Sequence, residues 1–176
     1  MQHITYQITL WNNIAKHLQG HPERLAVAKL LVETGLSIRN DRIYCNQIEI
    51  PTVRIAEAAG VDRRTVTKTI QTISSNKELN QIFEKMRSAG VSLREIARHL
   101  GFGVLEITPQ DPRGVGILAR ASTLIAEEGI SIRQAIVDDP ELCPEPKLTL
   151  IAERELPGDL IPRLLKVPGI AKVSIS

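Results

Sequence analysis

PTVRIAEAAGVDRRTVTKTIQTIS, Pro51 to Ser74, decides how this chain is read. It divides into two short helices around a tight turn. Pro51 suits the first position of a helix, where a missing N–H costs nothing. Ile55, Ala58 and Ala59 give that helix an apolar face. Gly60 ends it, since glycine enters the left-handed C-terminal conformation cheaply. Asp62 is a good cap for a second helix from Arg63 to Ser74. Val66, Ile70 and Ile73 fall on the inner side of that helix, while Arg63, Arg64, Thr67, Lys68 and Gln71 project from the others.

Ala56, Gly60 and Val66 carry the spacing of two closely crossed helices. The small residue permits close approach, the glycine makes the turn, and the valine plugs the angle. The stretch resembles the DNA-binding helix-turn-helix of transcription regulators. The late apolar position of that motif falls here on Thr69, with Ile70 beside it. The resemblance implies double-stranded DNA as partner and Thr52, Arg54, Arg63, Arg64, Thr65, Thr67, Lys68 and Gln71 as contacts. The other reading of the same residues is a helical hairpin in a protein-binding domain.

Upstream, Thr5 to Leu18 reads as a helix, with Ile8, Trp11, Ile14, Ala15 and Leu18 on one side. A second runs from Pro22 to Glu33, with Leu25, Ala28, Leu31 and Val32 inward. Arg42 to Ile50 alternates imperfectly and fits a short strand or an extended connector. His17 and His21 stand four apart, but Gly20 and Pro22 interrupt the helix and no metal-ligand set surrounds them. Downstream, Asn76 to Ser88 predicts a helix with Leu79, Ile82, Phe83 and Met86 as its apolar stripe. Ser92 and Glu95 form a capping box for a connecting helix that ends at Gly101. Ala97 and Gly101 repeat the earlier small-residue spacing, but the strand-like residues that follow leave no room for a second reading helix.

Composition sets the class. Residues 1–103 hold 14 Lys and Arg against 9 Asp and Glu, a charge of +5, and residues 104–176 carry −3. A basic first part joined to an acidic second part suits a nucleic-acid module attached to something else. Cys45 and Cys143 stand far apart, which suits a reducing interior. The N-terminus has no apolar signal core, and no run approaches the ~18 apolar residues of a membrane span. The expectation is a cytoplasmic protein with no membrane partner.

The second part predicts strand, helix, strand, strand, helix, strand. The strands are Val104–Thr108, Ile130–Ile136, Lys147–Glu155 and Ile170–Ile175. The helices are Ile117–Glu128, with Leu118, Ala121, Leu124 and Ile125 inward, and Pro157–Val167. This βαββαβ order is the ferredoxin-like split βαβ arrangement. The expected fold class is therefore α+β: an N-terminal all-α helix-turn-helix domain over 1–75, connecting helices over 76–103, and a ferredoxin-like domain over 104–176.

Asp111-Pro112-Arg113-Gly114, followed by Val115-Gly116-Ile117, looks like the D-x-x-G ligand loop of ACT domains, small modules that bind amino acids. Backbone N–H groups of Gly114, Val115 and Gly116 open a helix and suit a carboxylate. The resemblance implies an amino-acid effector held by Asp111, Pro112, Arg113, Gly114, Val115, Gly116 and Ile117. It also implies contacts from Ser131, Ile132 and Gln134 on the second strand of a neighbouring copy, hence a homodimer or higher homo-oligomer. The family often has Asn where Ser131 stands here. The other reading of Asp111 to Gly114 is a plain tight turn. The acidic run of Asp138, Asp139, Glu141 and Glu145, broken by prolines, reads as a solvated hairpin loop.

A helix-turn-helix followed by an ACT-like domain resembles the predicted archaeal regulators of amino-acid metabolism. EEGISIRQAIVDDPEL (127–142) and VPGIAKVSI (167–175) look especially close. The resemblance implies an amino-acid-responsive DNA-binding transcription regulator, with no cofactor beyond the effector. The rival is a regulatory or scaffold subunit that does not bind DNA and whose helical half docks on a metabolic enzyme. No Ser/His/Asp or Cys/His constellation and no phosphate-cradling glycine motif points to an enzyme.

Overall fold

A computed structural model describes residues 10–176, so the start of the expected Thr5–Leu18 helix, with Ile8, lies outside the described residues. The chain is α+β with two antiparallel sheets, and it divides into two compact units, one ending at Gly90 and one spanning Val91–Ser176. No helix among the described residues is long and apolar enough to cross a membrane.

The first unit contains α1 (Leu10–His17), α2 (Pro22–Glu33), α3 (Thr52–Ala59), α4 (Arg63–Ser75) and α5 (Lys77–Lys85). It is not all-α, as the sequence suggested. Three short strands, β1 (Ser37–Arg39), β2 (Arg42–Cys45) and β3 (Ile48–Ile50), form an antiparallel meander. The stretch 42–50, expected as one strand or a connector, is two strands. The turns explain this. Asn40 and Asp41 both hold positive φ, 50° and 57°, in the two-residue loop between Arg39 and Arg42, and Asn46 holds φ 53° in the next. Asparagine and aspartate tolerate the left-handed region, and paired positive φ matches the twist of a hairpin.

Ile14, Leu18, Val27, Ala28, Leu31, Ile38, Ile43, Val66, Ile70, Ile73 and Phe83 are fully buried in this unit. Residues 76–90 belong to it as well. Asn76 caps α5 by accepting from Glu78 N and Leu79 N at 3.1 and 3.0 Å. The helix stops at Lys85, short of the expected Ser88, and the backbone of residues 87–88 crosses Gly35. A Cβ on Gly35 would lie 2.8 Å from Ser88 Cα, and its φ of +65° also favours glycine.

The second unit has β4 (Gly103–Pro109), α6 (Ile117–Glu127), β5 (Ile132–Val137), β6 (Leu148–Ala152), α7 (Leu160–Leu165) and β7 (Ile170–Ile175). The sheet order is β5-β6-β4-β7, all antiparallel, which is the split βαβ connectivity. Leu105, Ile107, Leu148, Leu150 and Ala152 face Ile117, Ala121, Ile125, Leu160 and Leu164 of the two helices. Ile117 points inward where Leu118 was expected to. Arg163 of α7 is hydrogen-bonded to Glu128, which holds its guanidinium above the ordinary protonation range.

The opposite face of the sheet is covered in part by residues 91–100. They form two 3-10 turns, Arg94–Ile96 and Arg98–Leu100, and not the expected capped α-helix. Ser92 Oγ accepts only a long bond from Arg94 N, 3.4 Å, while Glu95 pairs with Arg94. Tertiary contacts hold this strap instead. Ala97 packs on Val104 and Ile151 with Leu93 and Phe102 alongside, and Arg94 pairs with Glu106 at 2.7 Å. Gln134 donates to Val91 O and accepts from Leu93 N, each at 2.8 Å.

Candidate DNA-reading helix and effector loop

The α3–α4 pair is built from its turn. Gly60 adopts φ 65°, ψ 34°, and Val61 N donates back to Ala56 O at 3.0 Å, closing α3. Pro51 directly precedes α3, and Ile55 and Ala56 form its buried side, whereas Ala58 is exposed. Asp62 Oδ1 accepts from Arg64 N at 2.7 Å and caps α4. Val66, Thr69, Ile70 and Ile73 are buried. Thr69 is tolerated there because its hydroxyl donates to Thr65 O at 2.8 Å, which leaves its methyl to pack.

The outer side of α4 is open. Arg63, Arg64, Thr67, Lys68 and Gln71 are all exposed and line one shallow groove with Asp62. The side chains of Arg64, Lys68 and Gln71 have no hydrogen bond or ion pair to other described residues. Arg63 Nε donates to Thr52 Oγ1 at 3.2 Å, so Thr52 steadies an arginine from the preceding helix. Thr67 Oγ1 donates to Arg63 O within α4. The remaining two expected contacts are engaged elsewhere. Arg54 pairs with Glu57 at 2.9 Å, and Thr65 Oγ1 donates to Glu23 on α2 at 3.1 Å.

Lys68 also lines a second groove with His21, Glu23, Arg24 and Thr65. His21 and Arg24 thus join the neighbourhood of α4 although they lie about forty residues earlier, where local spacing gives no signal. His17, the other half of the spaced pair, is hydrogen-bonded to Asn76 at 3.2 Å.

The loop between β4 and α6 is tight. Asp111 Oδ1 accepts from Arg113 N at 2.9 Å, and Gly114 N donates to Asp111 O at 2.8 Å. Asp111 therefore organises the loop itself. A Cβ on Gly114 would lie 2.9 Å from Asp111 O, and Gly116 has φ +84°. Arg113 reaches Glu141 at 3.9 Å, and Val115 is 91% exposed. Gly116 caps α6 without a side-chain acceptor, so the first amides of the helix present free donors.

A cavity of about 260 Å³ opens beside this loop. Pro112, Gly114, Gly116 and Ile117 line it, and the β5–β6 hairpin supplies Val137, Asp138, Pro146, Lys147 and Leu148. Asp111, Arg113 and Val115 do not. Ser131, Ile132 and Gln134 lie toward the other end of the sheet, since Ile132 pairs with Ala152 while Val137 pairs with Leu148. Ser131 N donates to Glu153, Ile132 packs at the core margin, and the Gln134 amide is committed to the strap. The hairpin contribution had no marker in the sequence beyond its prolines.

No family model and no curated protein matches the chain. Among solved structures, a glycine-to-threonine mutant of Rv3291c matches at 14% identity over 88% of this chain and 90% of that one, with a TM-score of 0.26.

Proposed function

We propose that this chain is an amino-acid-responsive, DNA-binding transcription regulator. The α3–α4 pair acts as a helix-turn-helix, and the second unit acts as an ACT-like sensor that pairs with a second copy. The observation that carries the reading is the division of α4 into a buried side and an exposed basic side, on which the Arg64, Lys68 and Gln71 side chains have no partner among the described residues. Arg63 and Arg64 stand in its first turn, at the end that enters a major groove first, and Thr67, Lys68 and Gln71 follow along the same side.

In a dimer the two α4 helices meet half-sites about 34–36 Å apart. The second unit offers two unpaired sheet edges, β5 and β7, for association. An effector at the 110–116 loop shifts DNA affinity only by its differential affinity for the two states, typically ~1–3 kcal/mol.

The test is a gel shift of the full chain against genomic fragments at two salt concentrations. Retention that weakens with salt and with Arg64→Ala is the expected result. Absence of retention at low salt overturns the proposal and leaves the scaffold subunit as the reading.

A further inference from the structure

Lys68 belongs to two grooves at once. On one side it lines the groove of Arg63, Arg64, Thr67 and Gln71, and on the other it lines a groove with His21, Glu23, Arg24 and Thr65. Its place on α4 explains this. It stands four residues after Arg64 and three after Thr65, so it lies between their two stripes on the helix surface. The second groove is built from the start of α2. Pro22 opens that helix, where no N–H is needed, and Glu23 accepts from Thr65 Oγ1 at 3.1 Å, which holds this end of α2 against α4. The side chains of His21, Arg24 and Lys68 have no hydrogen bond or ion pair to other described residues. His21 and Lys68 are exposed, whereas Arg24 is half-buried. A guanidinium partly withdrawn from water gains most from an anionic acceptor, and within the chain it has none among the described residues.

We infer that Arg24 and His21 of the α2 end form a second DNA contact with Lys68, one that grips the sugar-phosphate backbone bordering the major groove that α4 enters. The inference rests on the DNA-reading role proposed above for α4. Two observations choose the occupant. The groove joins the basic side of α4 through Lys68, and its free side chains are cationic or basic, with Glu23 the one carboxylate among its lining residues. Size gives the rest. A helix with its side chains is about 10–12 Å across and the major groove about 12 Å wide, so α4 fills the groove and residues beside it meet the phosphates of its wall. Arg24 faces that backbone from α2 and Lys68 from α4. Such contacts carry no base identity; they fix the register at which Arg63 and Arg64 meet the bases. Glu23 acts in the opposite sense. Its charge repels the same phosphates, while its hydrogen bond to Thr65 keeps the two helices in place.

Fluorescence anisotropy of the full chain, with a labelled duplex of random sequence as probe and a series of salt concentrations, tests this. Circular dichroism melts verify that each variant folds. Arg24→Ala is expected to weaken binding about tenfold near about 0.1 M salt and to lower the salt slope by about one. Arg24→Lys keeps the charge and should recover most of that loss. Glu23→Gln keeps a carbonyl oxygen for Thr65 but removes the repulsive charge, so it should bind about threefold tighter at low salt.

An Arg24→Ala chain with the affinity and salt slope of the unaltered protein overturns the inference. So does a loss that Arg24→Lys fails to recover, because the residue would then act through packing and not through charge. A Glu23→Gln chain that binds no tighter overturns it as well, since the groove would then face no phosphate. In each of these cases the unaltered chain still binds, and the reading of α4 stands. Absence of binding by the unaltered chain at low salt overturns both, so the two failures are told apart.

Discussion

Arg64 and Lys68 differ in what their loss should reveal. Both side chains are exposed on α4 without a partner among the described residues, but Arg64 stands beside the cap at the helix start and Lys68 a turn later. On the DNA-reading role proposed above, a bidentate base contact by Arg64 is worth ~1–3 kcal/mol and is sequence-selective. Arg64→Ala should therefore weaken binding to a selected operator far more than to random DNA in an anisotropy titration. A phosphate contact by Lys68 acts on every sequence alike, and Lys68→Ala should lower the salt slope by about one. Thr69 gives a prediction about stability. Its hydroxyl only supplements a carbonyl within α4, so Thr69→Val should change the urea-denaturation free energy by less than about 1 kcal/mol. Thr69→Asp should unfold the first unit, because it buries an unpaired charge.

Among the elements, those bounded by glycine or proline were legible and those bounded by tertiary contact were not. Gly60 and Asp62 marked the α3–α4 turn, and each strand and helix after Gly103 fell close to its expected place, with the α7 helix shorter than its apolar span. The β1–β3 meander was missed because three strands of three or four residues give no usable periodicity, and the informative signal was Asn40-Asp41 and Asn46. The strap at 91–100 was misread because a capping box describes local preference, whereas the pull of Gln134, Glu106 and Ile151 decides its path. The candidate site was legible to the same degree. The outer residues of α4 followed from helical spacing, while the hairpin wall of the cavity required the fold. Gln134→Ala should free the strap, and amide exchange of residues 91–100 should accelerate while that of β4 and β6 is unchanged. Gly103 offers a firmer test. A Cβ there would lie 2.7 Å from Arg154 O, a backbone atom, so Gly103→Ala should cost about 1–3 kcal/mol in denaturant unfolding.

At the scale of the whole molecule, each unit owns a core, and the boundary at Gly90 and Val91 falls between elements. Residues 91–176 expressed alone should fold with a single cooperative transition, since every strand of their sheet and both covering layers are included. The layering has a consequence for assembly. One side of the four-stranded sheet lies under α6 and α7, and part of the other, over Val104 and Ile151, lies under the strap. A second molecule therefore cannot stack broadside over Val104 and Ile151 without first evicting the strap. It can lengthen the hydrogen-bonded ladder from the rim, so that the pair shares one wider ribbon instead of becoming a thicker sandwich.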